Sequence, residues 1–532
     1  MAKKSFVQGA VILGVAGIII KALGAVFRIP LGNLIGDEGM AYYQAAYPIY
    51  VLFLTVATAG IPIAISRMVS ERIAVGNNEG AHRVFRISFL LLFVIGATSF
   101  SICFFGASQI VTLMGLPDAV YAMKSIAIAL LVVPLMAAYR GYFQGQQNMT
   151  PTAISQVVEQ FFRVGCGLFL AYMLMTKGTQ YAAAGASFGA VAGAIGGFIV
   201  VVIIYIIKRN QIKQKFPSIN SFERESSFSI LGRIFVIAIP ITIGAAIMPI
   251  MNFIDAALVM NRLQETGWEY SQAKSLYGQL TGFAGPFINF PQVLTQAVAM
   301  SIVPAIAASY KLKDYNSLRN DVQIGLRIAI IVGLPCALGL MALAEPIMIM
   351  IYPLRKASAI GAAPCLFIMA FGVIFLSTIQ TLTGVLQGIG KQMIPVRNLF
   401  IGAIFKIIAT YFLTGIPSIN AKGAAIGTVI AYIIAAMLDL RAVQKYTGAK
   451  FDITLTYIKP AVSGIIMAGI AYGCHRFLII PLGNGIATLL SIAIGAIVYV
   501  ILLFVTKTIT RDEVLRLPKG HKLVKIVDKF IK

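Results

Sequence analysis

Five basic side chains interrupt long apolar runs of this chain: Lys21, Arg28, Arg163, Arg327 and Lys406. A lone cation near the centre of a bilayer costs at least about 2.5–3.5 kcal/mol on insertion scales, so such a residue faces water, a partner or a ligand rather than lipid tails. Three of the five fall in the first third of the chain. A water-filled cavity that receives something negative is the simplest chemistry for them. Phosphate oxygens fit best, because arginine offers a planar donor fork and lysine a compact charge. Lys21 and Arg28 stand seven residues apart, which puts them on one helical face roughly 10 Å apart. Arg67 closes the next apolar run. Glu159 and Arg163 have the i, i+4 spacing of an ion pair in which the carboxylate holds the guanidinium in position. Plainer readings stand beside these: Arg28 and Arg67 snorkel to the interface, and Glu159–Arg163 is a purely structural pair.

Later in the chain, Asp255 follows Asn252 by one helical turn. A carboxylate inside a membrane helix is a candidate site for a coupling proton or sodium ion; the alternative is capping, or pairing with Arg262. Asp439 reads as an interfacial partner of Arg441, and Arg327 and Lys406 either extend the cationic lining or pair locally. What is missing is equally informative. The nearest approach to a phosphate-binding loop, Gly384 to Lys391, has the wrong spacing and is followed by Gln392, which argues against ATP hydrolysis. The 19 acidic residues form no paired cluster of metal-binding type, and His82, His475 and His521 are far apart. The expectation is therefore a protein that is not an enzyme, with no cofactor and no resident metal beyond the open question of sodium or proton coupling. Cys103, Cys166, Cys336, Cys365 and Cys474 are scattered singly in apolar stretches and read as small buried hydrophobes.

The elements that must position these groups are membrane helices. Of 532 residues, 59% are hydrophobic and 12% charged, about half the charge of an ordinary soluble domain. Apolar runs of about 20 residues recur throughout, giving about fourteen spans. Lys3 and Lys4 precede a run without a small-residue cleavage site, so the first span is expected to be retained. With the amino terminus in the cytoplasm, 30 of the 43 Lys and Arg residues fall on cytoplasmic segments, eight on external ones and five within spans. That asymmetry places both termini in the cytoplasm and explains the net charge of +24 by contact with anionic phospholipids rather than nucleic acid. A polar, basic stretch near the midpoint, 208–233, reads as a linker. The division is then 1–207 for six spans, 234–445 for six more, 446–507 for two extra spans, and 508–532 for a cytoplasmic tail. The tail places Leu523, Ile526, Val527, Phe530 and Ile531 on one helical face opposite lysines, the pattern of an interfacial amphipathic helix.

The two halves repeat one another. GYFQGQQNMTP from Gly141 returns as GVLQGIGKQMIP from Gly384, and GASFGAVAG from Gly185 returns as GAAIGTVIA from Gly423. The offsets, 243 residues at Gln144/Gln387 and 238 at Gly185/Gly423, keep the same orientation in each half. That is a parallel repeat, a common transporter architecture.

Fourteen spans, a basic linker after the sixth and two similar halves resemble the multidrug/oligosaccharidyl-lipid/polysaccharide exporter superfamily. Within it, LLVVPLMAAYRGYFQGQQNMTPTAISQVVEQFFRVG (Leu130 to Gly165), KALGAVFRIPLGNLIGDEGMAYYQ and AGIPIAISRMVSE are similar to flippases of the MurJ and stage V sporulation protein B kind. The resemblance implies an all-helical, V-shaped fold of two six-helix bundles related by a pseudo-twofold axis, plus two carboxy-terminal helices. It implies a bacterial cytoplasmic-membrane protein of peptidoglycan and polysaccharide biosynthesis that flips lipid II, an undecaprenyl-pyrophosphate-linked unit, to the outer leaflet by alternating access. Cell-wall synthesis proteins are implied as partners, and sporulation as one setting. The pyrophosphate falls to basic residues of the first lobe, matched here by Lys21, Arg28 and Arg67 and joined by Arg163. Asp37 and Glu38 fall at the external gate. A sodium site would use Asp255 with Asn398 of the eleventh span. Alternatives left open are another polyprenyl-linked glycan and a cation or drug exporter, which calls for a carboxylate-lined cavity.

Overall fold

The computed structural model describes residues 2–215, 225–506 and 508; the amphipathic pattern of the tail lies outside these. In chain order the helices are α1 (Ala2–Thr58), α2 (Ile61–Ala74), α3 (Asn78–Phe105), α4 (Ala107–Leu113), α5 (Val120–Ala127), α6 (Ala129–Gly145), α7 (Thr150–Leu174), α8 (Thr179–Lys215), α9 (Ser227–Glu265) and α10 (Tyr270–Gly278). They continue as α11 (Gly285–Lys311), α12 (Tyr315–Ala342), α13 (Ala344–Ile351), α14 (Lys356–Gly388), α15 (Met393–Thr414), α16 (Lys422–Thr447) and α17 (Lys459–Val505).

Among the described residues, 12 helical stretches are long and apolar enough to cross a membrane. Two of them are double. Ile19–Ala74 has 56 residues and Thr454–Val505 has 52, roughly 80 Å each at 1.5 Å per residue, more than twice a hydrocarbon core of about 30 Å. Each breaks midway at a glycine with positive φ: Gly36 (φ 69, ψ −173) in α1 and Gly483 (φ 72, ψ 166) in α17. L side chains avoid that conformation, so glycine is what lets the chain reverse there. Counting each as two restores the fourteen spans expected from the apolar runs.

The chain forms one compact unit up to Gln264 and a second from Glu265. The divide thus falls one span later than the linker at 208–233. The reason lies in α9, whose Ile230, Ile234 and Ala238 share one helical face. They are buried with Ala57, Ile61, Ile65, Met68, Phe85 and Tyr142 of α1, α2, α3 and α6. In the second unit, Leu326 and Ile330 of α12, Leu382 and Val385 of α14, and Val443 of α16 form the main core. The last two spans attach to this unit: Met467, Tyr499 and Leu503 of α17 pack together, and the Tyr499 hydroxyl donates to the Ile331 carbonyl at 2.9 Å.

The repeat seen in the sequence is a repeat in conformation. After α6 the chain turns through Gln147 (φ 59), with Asn148 N donating to Phe143 O at 3.0 Å. After α14 it turns through Gly390 (φ 77), with Lys391 N donating to Leu386 O at 2.7 Å. All three positions are related by the offset of 243. The second motif does equal work in both units. Gly189 and Gly193 of α8 face the Arg163 and Glu159 carbonyls of α7, where an added Cβ would sit 2.5 and 2.4 Å from oxygen. Gly423 and Gly427 of α16 likewise face the backbone and Thr410 of α15. Small residues of this kind let two helices touch along their backbones.

Candidate functional site

Arg163 is set against an aromatic ladder on α1. Beyond the Gly36 break, Tyr43, Tyr47 and Tyr50 follow at helical spacing, with Tyr43 and Tyr47 stacked at 5.9 Å between centroids and Tyr47 and Tyr50 at 6.2 Å. Phe27, before the break, meets Tyr43 at 6.0 Å. Helix α7 runs alongside: Gly24 faces Gln160, and Phe27 lies over Gly167. From α7 the half-buried Arg163 reaches across, its guanidinium carbon 5.4 Å from the centre of the Tyr47 ring and Nη2 3.4 Å from the Tyr43 hydroxyl. Tyr47 is within electrostatic reach of both Arg163 and Arg28, so the structure brings these two arginines into one neighbourhood. Lys21 lies on the same helix as Arg28, exposed, two turns away. Cation–π contact contributes about 0.5–2 kcal/mol, enough to aim Arg163 without neutralising it.

Glu159 departs from expectation. On sequence it pairs with Arg163 at i+4. In the fold its Oε2 lies 2.8 Å from Nη2 of Arg140 in α6, whose Nε donates to Ser155 at 2.9 Å. The glycine stripe of α8 sets the rotation of α7 and turns Glu159 toward α6, while Arg163 meets α1. Among the described residues, neither Arg28 nor Arg163 has a carboxylate within ion-pair distance. The group they form is a positively charged one, backed by phenols.

Arg67 belongs to a different constellation. Its Nε lies 2.9 Å from Glu71, Glu71 lies 3.2 Å from Arg233, and Arg233 lies 3.6 Å from Glu225. Glu225 pairs in turn with Arg72, which is 8% exposed and also donates to the Met68 carbonyl at 3.1 Å. Burial works against the Glu225 carboxylate, yet the Ser229 hydroxyl and the guanidinium groups of Arg72 and Arg233 together hold it below the usual carboxylate range. This ionic chain ties the end of α2 to the start of α9.

Asp37 and Glu38 begin the helix after the Gly36 break, with Asp37 Oδ1 accepting from Glu38 N at 3.0 Å. Nearby the Tyr42 hydroxyl donates to Asp118 at 3.1 Å. This is the end of the unit where Asn261 and Gln264 of α9 donate to the Leu113 and Gly115 carbonyls at 2.8 and 2.9 Å. Asn252 is exposed and Asp255 half-buried, one turn apart on α9. Arg327 (7% exposed, α12) and the half-buried Lys406 (α15) belong to the second unit. So does Asp439, whose partner is Asn398 at 2.8 Å rather than Arg441; residues two apart on a helix point to different sides.

The geometry has a family context. A profile of the polysaccharide biosynthesis proteins matches residues 6–310. The chain belongs to the polysaccharide biosynthesis protein family. A profile of MatE proteins also matches, over residues 280–412. Among curated relatives, "Stage V sporulation protein B" of Bacillus subtilis (strain 168) is 27% identical over 98% of this chain and 100% of its own length. "Lipid II flippase MurJ" of the same organism is 26% identical over 92% of this chain and 94% of its own. The solved structure titled "Lipid II flippase MurJ, inward closed conformation" superposes with a TM-score of 0.69 at 18% identity, covering 93% of this chain and 98% of that one. That likeness shows the fold.

Within this polysaccharide biosynthesis family fold, two residues of the first unit escaped the sequence reading. Arg140 stands just past the apolar run of its span in AAYRGYF, and Arg72 follows the ISRMVSE stretch. A basic residue one turn inside a helix end was the available signal. Their partners, 19 and 153 residues away, were not legible.

Proposed function

We propose that this protein flips a polyprenyl-pyrophosphate-linked cell-wall precursor, lipid II, from the cytoplasmic to the outer leaflet of the bacterial plasma membrane by alternating access, with both termini cytoplasmic. The observation that carries the reading is Arg163 over the Tyr47 ring, with Arg28 in electrostatic reach of the same ring and no carboxylate within ion-pair distance of either arginine among the described residues. A diphosphate supplies the missing negative charge, and the arginine forks match its oxygens. Lys21, on the Arg28 face of α1, extends the basic track. Family membership and the flippase named among the relatives support the cargo class. Among the described residues no three His, Cys, Asp or Glu side chains gather as a metal-dependent glycosyltransferase or phosphatase would need, and a drug exporter handling organic cations calls for acidic rather than basic groups at this position. Membrane potential favours the direction, since an anion leaving a negative interior gains about 2.3 kcal/mol per charge per 100 mV.

A second reading, another polyprenyl-linked glycan, is favoured by the polysaccharide profile itself. One experiment separates the two: leaflet-resolved labelling of lipid II in cells depleted of the protein. Inner-leaflet accumulation supports lipid II. Unchanged lipid II with inner-leaflet retention of a different polyprenyl-linked glycan supports the second reading. No change in either rejects both.

A further inference from the structure

The second unit holds a carboxylate that the flippase reading does not use. Asp439 in α16 and Asn398 in α15 are each 1% exposed. Asn398 Nδ2 donates to Asp439 Oδ1 at 2.8 Å, and Nη2 of the exposed Arg397 donates to Asn398 Oδ1 at 3.3 Å. The other carboxylate oxygen, Oδ2, has no hydrogen-bond partner among the described residues.

Its surroundings are apolar. Ala435 and Ala436, one turn back on α16, pack with Ile379 and Phe375 of α14 and Leu399 of α15, and Val443, one turn on, joins the main core. The charges nearest this stretch look elsewhere. From α15, Arg397 bonds the Asn398 oxygen and not the carboxylate. On α16 itself Arg441 is exposed, while Lys445 and the inter-helix Lys391 lie over the Tyr446 ring at 5.9 and 5.4 Å. From α12, Arg319 meets α16 at the Thr447 carbonyl at 3.4 Å, about 12 Å further along the helix.

A buried anion with one neutral donor is costly, by several kcal/mol for an ion of this size. A metal cation needs several oxygens to replace its water, and this seam supplies few. A proton needs only Oδ2. We propose that Asp439, oriented by Asn398, is a proton-exchange site of the α15–α16 pair. Uptake forms one O–H bond on Oδ2 and breaks one in hydronium. The Asn398 bond is unaffected, since its N–H donates to Oδ1 in either state. Release leaves a charge in the seam. Further along the same seam, about 12 and 18 Å from Asp439 on α16, the two helices are closely packed: Gly402 lies under the Ala431 carbonyl and Gly427 against the Thr410 hydroxyl, where an added Cβ would come within 2.6 Å in each case. Water reaches that charge only if the helices part, so proton occupancy is linked to their packing. The site stands independently of which glycan is carried.

The test is pH-difference infrared spectroscopy on the full-length protein in nanodiscs. A carboxylic-acid C=O band should appear on acidification and vanish reversibly on alkalinisation. It should be lost in Asp439→Asn and kept in Asp255→Asn. In Asn398→Ala, which keeps the acid and removes its donor, the band should shift in frequency. Should Asp439→Asn fail to fold, the Asn398→Ala shift in protein carrying carbon-13 aspartate decides the matter. A band indifferent to both Asp439→Asn and Asn398→Ala overturns the proposal. So does sodium-dependent thermal stabilisation that Asp439→Asn abolishes, because a metal cation and not a proton would then occupy the site.

Discussion

Replacing Arg163 by alanine should separate transport from stability. In the protein the side chain makes a 3.4 Å contact to the Tyr43 hydroxyl and a cation–π contact to Tyr47, together about 1–3 kcal/mol for a half-buried group. The thermal midpoint should therefore fall only modestly. Bound to a diphosphate, the same guanidinium makes charge-assisted hydrogen bonds contributing about 1.5–3 kcal/mol. At about 1.4 kcal/mol per factor of ten, transport should drop roughly 10- to 150-fold. Arg163→Lys keeps the charge but loses the fork and should recover part of the loss. Tyr47→Leu, which removes the platform but no charge, should cost a few-fold and be rescued by Tyr47→Phe. The assay is the initial rate at which reconstituted protein moves a fluorescent polyprenyl-pyrophosphate glycan between leaflets, with thermal unfolding of the same preparation alongside. Wild-type rates in both Arg163→Ala and Arg28→Ala, in folded protein, would refute the idea that these arginines receive the headgroup.

Three further outcomes follow from other contacts. Glu159→Gln leaves Arg140 without its 2.8 Å counter-ion; thermal stability should fall by about 1–3 kcal/mol, and Arg140→Met with Glu159→Gln should recover more than Glu159→Gln alone, as a double-mutant cycle would read. Glu225 is held below the usual carboxylate range by Ser229, Arg72 and Arg233 against the cost of burial. Its contribution is thus present above the unfolded value near 4.3 and lost as pH falls through the lower folded value; thermal melts should show acid sensitivity there that Glu225→Gln removes, and an unchanged acid limb would contradict it. Gly36→Ala forces a side chain into φ 69, ψ −173 at a cost of about 1–3 kcal/mol, visible as a lower melting midpoint, while Gly14→Ala, which meets nothing within 4 Å, should be neutral.

The spans, their number and their repeat were legible because they are local. Apolar length sets a crossing, and the glycine and turn residues at Gly141–Pro151 and Gly384–Pro395 recur with the same backbone turn at Gln147 and Gly390. Cations inside those spans were legible too, since the surrounding residues alone make Arg28 and Arg163 unusual. Partners across helices were not. Glu159 had a candidate four residues away and took one on another helix; Asp439 had Arg441 beside it and took Asn398, 41 residues distant. The seventh span looked like the start of the second half and packs with the first.

A helix's inner neighbours follow from 3.6 residues per turn, so the sequence by itself determined which residues share a face and how often the chain crosses. Which face meets which is set by rotation and approach, and here those depend on glycines that let α8 lie against α7 and α16 against α15. Only the tertiary structure decided that Arg163 looks onto tyrosines and Asp439 into an apolar seam, because a side chain's partner depends on the sum of all helix contacts and not on its own stretch of chain.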